Sequence, residues 1–195
     1  MQFKAIEPGI EISGEAVGAT VDGFKKYPTV AMKYLVKFGF VKNQSDQVNR
    51  SAWFPHENWL HVFEGIANEV GPHSLYRIGK TIPENAIFTP HVNDIFSGIG
   101  SLDVAYHMNH RKNGVVMFNP ETGVMLEGIG HYRCTPNPAE KKIVCVAENP
   151  YGCDMDRGIY AALATRFESS ARTVHDEEAP CRKKGGESCT YVILW

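Results

Sequence analysis

The sequence predicts an α+β fold, with helices first and then an antiparallel sheet that closes in a C-terminal hairpin. Three observations predict it. Helical periodicity dominates up to about residue 111, strand-like alternation takes over after the turn "KNG" (112–114), and one helix interrupts the strands near residue 153. Helices in a run followed by strands in a run read as α+β rather than alternating α/β.

Taken in order, residues 1–50 are expected to form an N-terminal helical appendage with a linker. "KYPTVAMKYLVKFGF" (26–40) reads as a helix with Pro28 in its first turn and Gly39 near its end, and the polar run "KNQSDQVNRS" (42–51) as the linker. Residues 51–195 are expected to form the main domain. In "FPHENWLHVFEGIANEVGP" (54–72), Trp59, Phe63, Ile66 and Val70 step by four, three and four, Pro55 suits a first-turn position, and Gly71-Pro72 is a stop. A second helix is expected over "VNDIFSGIGSLDVAYHMNHR" (92–111), where Ile95, Ile99, Leu102 and Tyr106 form one stripe. "GVVMFNPETGVMLEGIGHYRC" (114–134) reads as two strands around the turn "NPETG", and "KKIVCVAEN" (141–149) as another strand. "CDMDRGIYAALATRFES" (153–169) returns to helix, and the tail reads as a two-stranded hairpin bent at "RKKGGE" (182–187).

Composition narrows the function classes. With 195 residues, 43% hydrophobic and 22% charged, the chain has the profile of a soluble globular protein. Its 20 basic and 22 acidic side chains are well mixed, so neither nucleic acid nor an anionic membrane is an expected partner. No apolar run approaches the ~18 residues of a membrane span. The opening "MQFKAIEPGIEISGEAVG" places acidic residues where a signal peptide needs an apolar stretch, so a cytoplasmic location is expected.

The five cysteines, Cys134, Cys145, Cys153, Cys181 and Cys189, all fall in the last third, and an odd number cannot close a disulfide framework. In a reducing cytosol clustered cysteines point to metal or thiol chemistry. If "RKKGGE" bends the tail, Cys181 and Cys189 lie symmetrically about Gly185. Cross-strand Cβ atoms ~4.5–5.5 Å apart would then supply half a tetrahedral zinc site with Zn–S bonds of ~2.3 Å. A Cys181–Cys189 disulfide remains the alternative. A redox pair would favour C-x-x-C spacing, which is absent. Cys153, at the start of a helix, has the free N–H groups that favour a thiolate, and Glu178 lies three residues before Cys181, where Pro180 breaks strand alternation. Arg157, Arg182, Lys183 and Lys184 would partly neutralise such an anionic group.

Residues 149–195 resemble the C-terminal part of the 4-vinyl-reductase-type small-molecule sensor domain, as found in phenol-responsive transcription activators. The resemblance rests on a cysteine at a helix start followed by E-x-x-C-x(7)-C, here Cys153, Glu178, Cys181 and Cys189. It implies a structural zinc on those four residues that clips the C-terminal hairpin to the helix. No ATPase or DNA-binding module of those activators appears in these residues.

A ligand pocket is expected where aromatic, histidine and apolar residues mix. "AYHMNHR" places Tyr106 and His110 on or beside the apolar stripe, with His107 at its flank. "EGIGHYRC" puts Ile129, His131 and Arg133 on one strand face and Tyr132 with Cys134 on the other. The candidate ligand-binding residues are therefore Tyr106, His107, His110, His131 and Tyr132, while Arg111 and Arg133 could engage a carboxylate. The same histidines raise a second metal or a haem, although no C-x-x-C-H attachment motif occurs. The function expected is a sensory or regulatory domain, homodimeric, that holds a small, largely apolar molecule and signals by a change in packing. The alternatives are an enzyme acting on a tetrapyrrole in the manner of a vinyl reductase, a haem-binding sensor, and a scaffold. No Gly-rich dinucleotide loop and no nucleophile–base pair supports the enzyme.

Overall fold

A computed structural model describes residues 2–195. Strand β1 (Ile10–Ser13) runs directly into helix α1 (Gly14–Asp22) because the Ser13 hydroxyl accepts the Ala16 N–H at 3.2 Å. That caps one of the four N–H groups a helix start leaves unpaired. A 3-10 turn (Gly23–Lys26) leads to α2 (Pro28–Lys37), whose proline sits in the first turn. Strand β2 (Trp53–Pro55) then feeds α3 (His56–Val70), which stops at Gly71 with φ +102°. Helix α4 (His73–Asn85) follows at once. Helix α5 (Ile95–Met108) starts three residues later than the periodicity suggests, because Asp94 and Ser97 form a reciprocal capping box.

Two short strands, β3 (His110–Lys112) and β4 (Val115–Val116), join β1 and β2 in an antiparallel sheet of order β2-β1-β3-β4. The second sheet is built from β5 (Tyr132–Asn137), β6 (Lys142–Ala147), β7 (Arg172–His175) and β8 (Cys189–Leu194), in the order β5-β6-β8-β7. Helix α6 (Cys153–Phe167) crosses between β6 and β7 and covers one face of this sheet. Alternation along β6 buries Ile143, Cys145 and Ala147, and along β8 it buries Cys189, Tyr191 and Ile193. The α+β class expected from the sequence holds.

Several expectations differ from the structure. Residues 1–50 are not set apart: Ile10, Ile12, Val17, Phe24 and Leu35 lie in the same buried cluster as Trp59, Phe63 and Tyr191, and β1 is an inner strand of the first sheet. Within the polar run at 42–51, Arg50 pairs with Glu15 at 2.8 Å and Asp22 at 2.7 Å, which holds it to α1. Of the two strands expected over 114–134, the first shrinks to β4 and a single bridge, Phe118 to Met125, around the turn at 119–123, and the second is realised only from Tyr132, where β5 begins. Helices α1 and α4 and strand β1 are not among the elements expected from the sequence. No helix among the described residues is long and apolar enough to cross a membrane.

Helices α4 and α6 approach closely because each presents a glycine to the other's backbone. A Cβ on Gly79 would fall inside the Met155 carbonyl, and one on Gly158 inside the Tyr76 carbonyl. Gly158→Ala is therefore expected to cost ~1–3 kcal/mol through overpacking. Gly100→Ala, on an exposed face of α5 with nothing within 4 Å, should be neutral or stabilise by up to ~1 kcal/mol. Urea unfolding of the two variants checks this; equal effects would mean the helix crossing does not depend on the glycine.

Candidate functional site

Two neighbouring groups of side chains carry the chemistry. The first lies at the tail. Cys153 opens α6 and Cys189 opens β8, with their Sγ atoms 3.0 Å apart; Cys181 Sγ is 3.6 Å from the former and 3.9 Å from the latter. Thiolates on a tetrahedral zinc sit ~3.8 Å apart for Zn–S bonds of ~2.3 Å. A ring nitrogen of His175 completes a four-donor group within 4.8 Å. His175 ends β7 opposite Tyr191, so it shares the buried face of Tyr191 and Cys189, and its ring stacks on Tyr191 at 5.0 Å. Its Nε2 is buried without a hydrogen-bond partner among the described residues.

Glu178, expected as the fourth ligand, is not in this group. It is exposed, and its N–H donates to Asp176 Oδ1 at 3.0 Å, a local turn that carries the chain away after β7. Cys181 is likewise not in a ladder opposite Cys189. The ladder pairs β7 with β8, and Cys181 instead caps a 3-10 turn (Arg182–Lys184) within the long connection between them. The five cysteines are all free.

Arg182, expected to help neutralise an anionic cysteine group, is 2% exposed. Its backbone N–H and Nε donate to Cys189 Sγ at 3.3 and 3.5 Å, one terminal nitrogen donates to Asn149 Oδ1 at 2.6 Å and to the Asn149 carbonyl, and the other pairs with buried Asp156. The hydrogen bond from Cys153, reinforced by Arg182, lowers the Cys189 thiol to about 4, while the same bond and burial push Cys153 up. Lys183 and Arg157 both face Asp154 rather than the sulfurs.

The second group lines the interior. An apolar pocket of about 130 Å³ lies among α1, α3, α5 and α6, with Trp59, Phe63, Leu102 and Ile159 in its walls and Tyr106, His110, Tyr132 and Tyr151 as polar anchors. Of the expected ligand residues, Tyr106, His110 and Tyr132 reach this pocket. His107 and His131 do not line it; they gather around Asp103. His56 and Tyr151 were missed. His56 packs edge-on against His110 at 4.6 Å, behind the pocket wall. Arg111 and Arg133 are engaged by Glu11 at 2.6 Å and Glu148 at 3.0 Å.

Hydrogen bonding orders the interior rings. His110 Nδ1 lies 2.7 Å from the Tyr106 carbonyl, which can only accept, so Nδ1 carries the proton and Nε2 is an acceptor. Tyr151 then donates to His110 Nε2 at 3.4 Å and accepts from His56 Nε2 at 3.2 Å. Tyr106 donates to the Ile129 carbonyl at 2.8 Å, and Tyr132 donates to Asp156 Oδ1 at 2.7 Å. A continuous set of contacts thus joins the pocket, through Tyr132, Asp156 and Arg182, to the thiolate of Cys189.

No family model and no curated protein sequence matches the chain. Solved structures do. An H-NOX protein from S. oneidensis in the Fe(II) ligation state aligns at TM-score 0.63 and 12% identity, over 94% of this chain and 95% of that one. A protein solved in work on heme distortion in the H-NOX family aligns at 0.64 and 13%, over 94% and 95%. An oxygen-binding H-NOX domain related to soluble guanylate cyclases, in its oxygen complex, aligns at 0.60 and 12%, over 94% of each. The chain therefore has the H-NOX fold. The resemblance of the tail to a 4-vinyl-reductase-type domain finds no support in these comparisons.

The buried histidines make stability depend on pH. Burial lowers His110 from near 6.5 to about 4, and burial together with neighbouring His110 lowers His56 well below its usual value. Because the folded values are depressed, the contribution is fully present above pH 6.5 and is lost as pH falls through 4. For His110 this amounts to roughly 3 kcal/mol, with a slope near ~1.4 kcal/mol per pH unit. His110→Gln should flatten unfolding free energy against pH by about that slope between pH 6 and 4. An unchanged slope would show that His110 is not a buried neutral base.

Proposed function

We propose that this chain is a ligand-binding sensory domain on the H-NOX fold, holding a small, largely apolar molecule in the interior pocket. One observation carries the reading: an apolar pocket with a few hydrogen-bonding rings at its wall, the usual make-up of a small-molecule site. Its 130 Å³ is close to the ~150 Å³ cavity that takes benzene or xenon in a well-studied case. The ligand class is thus a single aromatic ring or a dissolved gas. Filling the pocket would press on Tyr132, and hence on the Asp156–Arg182 pair and the tail, which gives the domain a way to report occupancy by packing.

A second reading, haem in the same region, is favoured by the fold shared with an H-NOX protein described in an Fe(II) state. The residues as they stand do not fit it. Ordinary ligand pockets span ~300–1,000 Å³, well above 130 Å³, and the Nε2 atoms of both His56 and His110 are engaged by Tyr151. Haem would require the aromatic wall to open. The comparisons favour this alternative over a vinyl reductase and support it better than a small apolar ligand.

We also propose that the tail holds zinc through Cys153, His175, Cys181 and Cys189. Four protein donors leave no open position, so its role would be structural. The unpartnered Nε2 of His175 supports the histidine in place of Glu178. Elemental analysis and native mass spectrometry of the purified protein test these readings together, and the latter reads whether the chain dimerises. We expect a zinc held by the cysteines, so that Cys181→Ser lowers the zinc content by one equivalent per chain and Glu178→Gln does not, and a thermal midpoint raised by phenol-sized apolar compounds. At a hundredfold excess over Kd the ligand should add ~2.7 kcal/mol. A strong visible haem band on titration with haemin, lost in His110→Leu, would favour the second reading. No response to any of these would overturn the sensory proposal.

A further inference from the structure

Away from both groups, Asp103, His107 and His131 bring one carboxylate and two imidazoles within 4.8 Å of one another. Asp103 and His107 are one turn apart on α5, and His131 immediately precedes β5. The start of that strand is tied to the helix by the Tyr132 N–H, which donates to Asp103 Oδ1 at 2.9 Å. The geometry is that of a ligand set whose outer contacts are already in place.

His131 has both nitrogens on carboxylates, whereas His107 has one nitrogen on a backbone carbonyl and the other without a partner among the described residues. His107 Nδ1 is 2.8 Å from the Asp103 carbonyl, so it carries the proton and leaves Nε2 with a free lone pair. That Nε2 is buried without a hydrogen-bond partner among the described residues, and the His107 side chain is 0% exposed. His131 turns Nε2 to Glu127 at 3.0 Å and Nδ1 to Asp103 Oδ2 at 2.9 Å. A histidine ligand commonly donates its other N–H to a carboxylate or a backbone carbonyl, and here both forms occur. An orphaned buried acceptor is costly unless something occupies it, and an ion pair of His131 with Asp103 and Glu127 leaves His107 Nε2 unsatisfied.

We propose that Asp103, His107 and His131, each through one donor atom, bind a first-row divalent metal ion, with Glu127 holding His131 from outside. Donor atoms on a tetrahedral ion with bonds of ~2.0–2.2 Å lie ~3.3 Å apart; here the donors lie within 4.8 Å of one another, with His131 Nδ1 and Asp103 Oδ2 at 2.9 Å, so the set adjusts around the ion, and the proton on His131 Nδ1 leaves to solvent. Two imidazoles and one carboxylate suit zinc, iron, nickel or cobalt. Three protein ligands leave a position open, so this centre would hold an exchangeable water or small anion, unlike the closed group at the tail. It depends on neither the pocket nor the cysteines.

Titration of the reduced, metal-free full chain with Co(II) tests it. We expect one equivalent with ligand-field bands and no sulfur-to-cobalt charge transfer, whether or not the cysteines take up an equivalent that shows such transfer. Asp103→Asn and His107→Leu should each weaken the sulfur-free equivalent by at least ~10-fold and leave any charge-transfer equivalent intact. Binding of cobalt only with charge transfer, or a sulfur-free equivalent undiminished in both variants, would overturn the proposal and leave the ion pair as the whole role of these residues. Should a variant fail to fold, histidine NMR of the wild type decides. Co(II) must shift or broaden His107 and His131 strongly, and an effect confined to other histidines would be equally fatal.

Discussion

The buried ion pair between Arg182 and Asp156 is the constraint on which the rest of the structure depends. Both side chains are almost fully removed from water. Desolvating two charges costs several kcal/mol per ion, which is offset only where every remaining donor and acceptor is matched. Here they are. Asp156 also accepts from Tyr132 and Asn149, while Arg182 reaches Asn149 and Cys189. The pair therefore fixes four separate pieces of chain at one point: the first turn of α6, the start of β5, the loop before α6 and the tail connection.

That junction explains why the pocket and the cysteine group should behave as one unit although different elements build them. Tyr132 has its ring against Tyr106 at 5.2 Å in the pocket wall and its hydroxyl on Asp156. Tyr191 packs on Tyr160 at 5.1 Å and donates to the Cys153 carbonyl at 2.8 Å. A ligand that moved the aromatic wall would have to move groups that cannot be left unpaired, so a small displacement carries a large energy. Close-packed interiors transmit such strain rather than absorb it. The H-NOX fold supplies the frame, but at 12% identity the chemistry belongs to this chain's own residues.

How much of this was legible depends on whether a residue's role is local. The periodicity of α3, the alternation of β6 and the glycine stop at Gly71 all follow from neighbours a few positions away, and they were readable. Cys153, Cys181 and Cys189 could be grouped because thiolates have few other uses in such spacing. The place of His175 beside the sulfurs is hidden because nothing in "TVHDEEAPC" reveals where β7 ends; once His175 is seen opposite Tyr191, strand alternation alone puts it on the face of Cys189. The ion pair of Arg182 could not be read from the sequence, because its acid partner lies 26 residues away and on another element. Helix α4 does carry a readable mark, since Leu75, Ile78 and Ile82 recur at helical spacing on its packed face. His56 and Tyr151 are joined only by tertiary folding.

A double-mutant cycle on Arg182→Gln and Asp156→Asn tests the central claim most directly. Each single change strands a buried charge and should cost ~3–5 kcal/mol. The double change should then cost well under the sum, with a coupling of ~2 kcal/mol or more. Additivity to within ~0.5 kcal/mol would mean that the two charges do not hold each other, and that the tail is fixed to the helix by something else.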